Sequence, residues 1–178
     1  MPTKRIKFGL SESSVQKAID ELKAYKKWTQ KKCDELSFEL AKQGMNLIRL
    51  KIAQHDALDT GELISSVQWP KKIGPGKYTV TLNVKNAKGD NYALFVEYGT
   101  GPKGKGAKHP AYGEVGWDYD VGEHIFDTKD GRRGWIYPTR DGSFRFTEGQ
   151  ISHPFWHDAA QELPDYIYDT ARKVFSHD

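Results

Sequence analysis

The chain has 178 residues, of which 37% are hydrophobic, 29% charged and 12% aromatic. That length fits one ordinary domain able to bury a core unaided, and that balance excludes a disordered chain. A formal net charge of +3 is too small to mark a dedicated nucleic-acid binder, and no run approaches the ~18 apolar residues of a membrane-spanning helix.

The start, Met1 to Lys7, is basic but leads into no apolar run, so no signal peptide is expected. The single cysteine, Cys33, cannot form an internal disulfide, which points to a reducing compartment: the cytoplasm, or something assembled there. The charge is uneven. Residues 1–72 hold 14 Lys/Arg against 9 Asp/Glu, whereas residues 73–178 hold 13 against 15. The lysine-rich first part reads as a solvated helix face, with contact to DNA or to an acidic partner as the other reading.

Residues 1–12 read as a flexible arm. Ser11 to Ser14 offer N-cap side chains and Glu12 suits a first helical turn. From Val15 an apolar stripe (Val15, Ala18, Ile19, Leu22, Tyr25, then Cys33, Leu36, Leu40, Gly44, Leu47 and Ile48) predicts helix over 14–54, either one long bent rod or two helices meeting near Lys26–Thr29. A helix of ~40 residues would measure roughly 60 Å, longer than one small core can cover, so part of it is expected to pack on a neighbouring subunit. The segment Asp56 to Gly61 stops the helix, with Asp59 and Thr60 as cap-type residues. Residues 67–98 read as sheet. Gly74-Pro75-Gly76 is a turn, Lys77 to Val84 alternates with period 2, Asn86 to Asp90 is a turn, and the nearly all-apolar run Tyr92 to Tyr98 predicts a central strand paired antiparallel to the first. Residues 99–150 form a loop and ribbon insertion: Gly99 to Gly106 should be mobile, and Trp135 to Tyr137 and Phe144 to Phe146 flank the turn signal Asp141-Gly142. A C-terminal helix is expected over 153–176, capped by Ser152, with Pro154 in its first turn and a break or kink at Pro164. The fold class is α+β: a long N-terminal helix, a small antiparallel sheet with an extended insertion, and a C-terminal helix packed on the sheet.

The chain offers no convincing active site, and no catalytic residue, cofactor or metal ligand is assigned. His153 and His157 have the i, i+4 spacing of a metal pair, but the intervening glutamate of a metalloprotease helix is missing and no third ligand is indicated. Gly99 and Gly104-Lys105 meet the spacing of a phosphate-binding loop, yet Gly106 stands where the hydroxyl should be. Nothing in the spacing pairs Asp59, Glu62, Glu97, Asp118, Asp120 and Glu123 for acid–base work. Glu97, ending an apolar strand, reads as a residue facing solvent, with a buried or interfacial ion-pair partner as the alternative. Ser65 and Ser66 lack a nucleophile's setting, and Cys33 reads as a packed thiol.

Three ordered segments carry a resemblance: Asp59-Thr60-Gly61-Glu62-Leu63-Ile64-Ser65-Ser66-Val67, Tyr92-Ala93-Leu94-Phe95-Val96-Glu97-Tyr98-Gly99-Thr100-Gly101, and His153-Pro154-Phe155-Trp156-His157-Asp158-Ala159. Together they resemble the tail-completion, or tail-to-head joining, proteins of siphophages and prophages. The resemblance covers roughly residues 12–175. It implies a non-enzymatic neck subunit of the virion, made in the host cytoplasm, that forms a ring with itself, hexameric in the virion. Its other partners would be the tail tube protein and the head connector or head-closure protein. DNA would pass the lumen without specific binding, and no membrane is involved. The motif residues it singles out are Asp59, Thr60, Gly61, Leu63, Ser66, Tyr92, Glu97, Gly99, Thr100, Gly101, Pro154 and Phe155. The stretch 102–150 is longer than in shorter members. Its Trp117, Trp135, Tyr137 and Phe146 suit either an interface or a satellite core under the loop. Rival readings are another neck or minor tail role such as head closure, a metal-dependent nuclease or hydrolase using His153 and His157, and a nucleic-acid binder using the lysine-rich helix.

Overall fold

The computed structural model describes residues 5–57, 61–85, 91–119, 125–139 and 141–176. Several residues singled out in the sequence lie outside these: Asp59, Thr60, the turn Asn86 to Asp90, Asp120, Glu123 and the first four residues. The fold is mixed, with a long N-terminal helix, a two-stranded sheet, a three-stranded sheet and C-terminal helices. Its residues form two compact units. The first comprises Met1–Met45, Trp69–Val80 and Glu162–Asp178, and the second Asn46–Gln68 and Thr81–Gln161. Among the described residues, no helix is long and apolar enough to cross a membrane.

Helix α1, Glu12–Gln54, is one continuous rod of 43 residues that contributes to both units. No break falls at Lys26–Thr29, and the Thr29 hydroxyl is satisfied within the helix by donating to the Tyr25 carbonyl at 3.0 Å. The Ser11 hydroxyl accepts from the Ser14 amide at 3.4 Å at the N-terminus, with Glu12 in the first turn. The stop falls at Asp56, the first residue of the predicted Asp56 to Gly61 segment. Asp56 takes φ 52°, its amide donates to Ala53 and the Ala57 amide to Ile52, so the last carbonyls are satisfied by a Schellman closure with aspartate in the usual glycine position.

The first unit joins α1 to the hairpin of β1 (Lys71–Gly74) and β2 (Lys77–Thr79), which closes over Pro75-Gly76 as the sequence predicts. Phe38 of α1 meets Trp69 and Tyr78 of the hairpin region, with ring centroids at 6.2 and 5.4 Å. Asp34 fastens the hairpin. It accepts from Lys72 Nζ at 2.6 Å, the Gly76 amide at 2.9 Å and the Tyr78 hydroxyl at 3.1 Å. The Lys72 ammonium, chiefly, holds the Asp34 carboxyl below the ordinary carboxylate value, and Asp34 raises Lys72 in turn. After a 3-10 turn at Leu163–Tyr166, where Pro164 interrupts regular helix, α7 (Ile167–Ser176) buries Val174 and sets Phe175 edge-on to Trp28 of α1.

In the second unit the expected central strand is a helix. Residues Ala93–Tyr98 form α3, begun by Asn91 Oδ1 accepting the Ala93 amide at 3.2 Å and ended at Gly99. It buries Ala93 and Glu97, four residues apart and so one turn apart on one helical face. The pairing of Lys77–Val84 with this run therefore does not form. Beyond Thr79 the chain pairs through isolated bridges, Leu82 with Val67 and Lys85 with Asn91, and the Val84 carbonyl accepts the Tyr92 amide. Gly101–Gly106, expected to be mobile, is the short helix α4, followed by α5 at Tyr112–Val115. Strands β3 (Phe126–Asp127), β4 (Arg133–Pro138) and β5 (Phe144–Thr147) make the antiparallel three-stranded sheet, and α6 (Phe155–Glu162) completes the unit. Leu47, Ile48, Ile52, Leu63, Val67, Val84 and Phe155 form its buried apolar core.

Two exposed turns, at Thr128–Arg132 and Thr139–Ser143, share one construction. The threonine hydroxyl meets the aspartate two residues on and donates to the carbonyl four residues on. At the second, Thr139 first and then the Ser143 hydroxyl and amide hold the Asp141 carboxyl down at about 2. Because the folded value lies below the ordinary 3.8, this turn's contribution to stability is full above 3.8 and is lost as pH falls through about 2. A carboxyl-carbon NMR titration of Asp141 is expected to give a midpoint near 2, and Thr139→Val to return it toward the ordinary value.

Candidate assembly site

The centre of the second unit is Glu97. Its buried carboxylate accepts three bonds: from the Trp156 amide at 2.8 Å, the His157 amide at 2.9 Å and His109 Nε2 at 3.1 Å. The two amides belong to the first turn of α6, whose free N–H groups and positive dipole end favour an anion. Glu97 is thus the N-cap of α6 from a distance, a role expected of Ser152. The Ser152 hydroxyl instead donates to the Glu97 carbonyl at 2.6 Å. Of the two readings open for Glu97, the solvent-facing one fails: the carboxylate is buried and all its bonds lie within the fold.

His109 is buried and fully engaged. Its Nδ1 accepts the Ala111 amide at 3.0 Å, so the ring proton sits on Nε2 and is donated to Glu97. Its own amide donates to the Tyr119 hydroxyl at 3.0 Å, and its ring lies 4.2 Å from Tyr98 and 5.3 Å from His157. Sequence reasoning missed this residue. One histidine in a stretch without periodicity carries no signal until the chain is folded.

The second and third motifs meet along a ladder of bonds. The His153 amide donates to Val96, Gln150 Nε2 donates to Phe95 at 2.8 Å, and Thr100 and Gln150 exchange both backbone bonds. Gly99 is needed at this crossing. With φ at 79°, a Cβ there would stand 2.7 to 2.8 Å from backbone atoms of Gln150, Ile151 and Ser152. Gly101, at φ 62°, lies under Trp135, whose ring a Cβ would meet at 2.5 Å. Pro154 precedes α6, and Phe155 begins it fully buried. Of the first motif, Gly61 caps the short helix α2 (Glu62–Ser65), Leu63 is buried, and the Ser66 hydroxyl donates to the Leu63 carbonyl at 2.7 Å. Tyr92 sends its amide to Val84. These are all supports of the fold.

The four aromatics of the insertion divide. Trp117 donates to the Gly99 carbonyl at 3.0 Å and stacks on Tyr98 at 4.8 Å, and Trp135 covers Gly101, so both are half-buried and engaged within the fold. Across the three-stranded sheet, Gly134 faces Phe126, Ile136 faces Phe146 and Pro138 faces Phe144, which sets these side chains on one surface. Trp135, Tyr137 and Arg145 take the other. The Phe126, Ile136 and Phe144 side of the sheet is open, with 43%, 53% and 72% of each residue exposed. Phe146 sits among them beneath the Arg132 guanidinium, 5.1 Å away.

Comparison with family models, with curated proteins and with solved structures returned no match to the chain. His153 and His157, the candidate metal pair, point to separate duties: His153 Nδ1 donates to the His55 carbonyl at 2.8 Å, while His157 packs against His109. His55 in turn meets Asp158 at 2.8 Å. Among the described residues no three His, Cys, Asp or Glu side chains are grouped to hold a metal ion. Cys33, expected to be packed, is exposed.

Proposed function

We propose that this chain is a structural subunit of a tailed bacteriophage or prophage, a tail-completion or tail-to-head joining protein that works by assembling with copies of itself into a ring at the neck. The observation that carries this reading is the open sheet face. Phe126, Ile136, Phe144 and Phe146 form a contiguous apolar surface rimmed by Arg132, the composition of an interface core with an arginine beside it. A monomer gains nothing from holding that surface in water. The buried polar groups point the same way. Glu97 and His109 spend their bonds on each other and on backbone amides, which suits a scaffold held rigid for docking. The ordered motif set described above supplies the neck location, and the partners would be the tail tube and the head connector.

In this reading, Phe144→Asp with Ile136→Asp leaves the fold intact, since both side chains are exposed, and abolishes particle joining. Circular dichroism would read the first and electron microscopy of infected-cell lysates the second. The reading itself is tested by mass spectrometry of purified heads and tails and by a deletion. The protein is expected in the tails, and particles lacking it are expected as separate heads and tails. Joined virions without the protein would overturn it.

A further inference from the structure

The first unit carries two separate surfaces of complementary chemistry. Between α1 and the hairpin turn lies a groove of about 1070 Å³ with Leu22, Tyr25, Cys33 and Pro75 among its apolar lining. Two exposed cations, Lys26 and Lys31, stand in it. Its one carboxylate, Asp34, is already occupied by Lys72, Gly76 and Tyr78, and among the described residues no acidic side chain pairs with Lys26 or Lys31. The groove is an apolar slot with uncompensated positive charge.

The start of α7 presents the counterpart. Ile167 and Tyr168 are 46% and 75% exposed. Asp165 and Asp169 flank them, both exposed and neither paired among the described residues, with Arg172 following one turn later. None of these groups lines the groove of its own copy. Leu163 lies at Gly44 and Phe175 at Trp28, so α7 runs antiparallel along α1 and leaves the two aspartates several residues up the axis from Lys26 and Lys31.

We propose that the occupant of the groove is a second copy of this chain: Ile167 and Tyr168 of one subunit enter it, and Asp165 and Asp169 meet Lys26 and Lys31. The contact joins two different patches, so it leaves one groove and one ridge free on each pair and propagates until a ring closes. This inference rests on the ring reading above and names its joint. Ion pairs at the rim of an apolar anchor give register, and tyrosine is among the residue types that most often dominate such contacts.

The test uses two charge-reversed full-length proteins, Lys26→Glu with Lys31→Glu, and Asp165→Lys with Asp169→Lys, followed by sedimentation velocity at low salt. All four positions are exposed, and circular dichroism checks that each variant is folded. Wild type is expected to form oligomers that dissociate as salt rises. Each reversed protein alone is expected to stay monomeric, because like charges meet, and an equal mixture of the two is expected to recover oligomers, because both joints are then complementary. Tyr168→Ala should weaken association about thirtyfold. Reversed variants that assemble like wild type would overturn the joint while leaving the ring reading standing. A mixture that stays monomeric, or a wild type that never associates, overturns it too, and the deletion and virion measurements above judge the ring separately.

Discussion

Replacing Glu97 by alanine is expected to lower the unfolding free energy by about 3–5 kcal/mol. The carboxylate holds two amides of α6 and the Nε2 proton of His109 in a site that water does not reach. Removing it orphans three donors at once, and an unsatisfied buried donor costs about 1–3 kcal/mol. The loss is also structural, because α6 loses its N-terminal anion and the chain around His109 loses its tie to α3. Glu97→Gln separates the two contributions. The amide keeps one acceptor oxygen but turns its NH₂ toward a donor, so it is expected to fall between wild type and alanine. The measurement is a urea transition at unchanged m-value. A loss well under 1 kcal/mol for the alanine variant would mean that solvent reaches these donors after all.

Gly99→Ala is expected to be comparably damaging, by about 3–5 kcal/mol, although it adds a single methyl. At φ 79° and ψ 171° the residue occupies a region that only glycine enters easily. The new Cβ would also stand under 3 Å from three backbone atoms of residues 150–152. Backbone cannot rotate away as a side chain can, so relief requires parting the Thr100–Gln150 bridge, the crossing at which the second and third motifs meet. Thermal unfolding and hydrogen exchange at the Thr100 and Gln150 amides would both register that opening. A control at Gly106, where a Cβ meets nothing within 4 Å, is expected to stay close to wild type.

The run Tyr92 to Tyr98 shows where one-dimensional reading fails. Seven nearly continuous apolar residues fit a buried strand or a buried helix equally well, and periodicity cannot choose between them. The informative residue was the polar one that opens the run, Asn91, whose Oδ1 accepts the Ala93 amide in the first turn. The segment Gly99 to Gly106 misled in the opposite sense. Its glycines suggested looseness, yet Gly101 and Gly104 are buried because the chain from Tyr119, Glu148 and Gln150 passes too close for any side chain. Glycine content reports permitted conformations and close approach alike, and only the folded chain says which is in use.

The sequence by itself determined what depends on neighbours within a turn or two: helix over residues 14–54 from its stripe, the turn at Gly74-Pro75-Gly76, the ribbon around Asp141-Gly142, the break at Pro164, and the absence of a long apolar span. The tertiary structure alone decided what depends on residues far apart in the chain. It set Glu97 beneath α6 across some sixty positions, turned Trp117 and Trp135 inward while leaving Phe144 out, and placed Lys26 and Lys31 beside an apolar groove. Helical and strand periods are properties of local backbone geometry, whereas burial and charge pairing are fixed by which distant segments the core brings together.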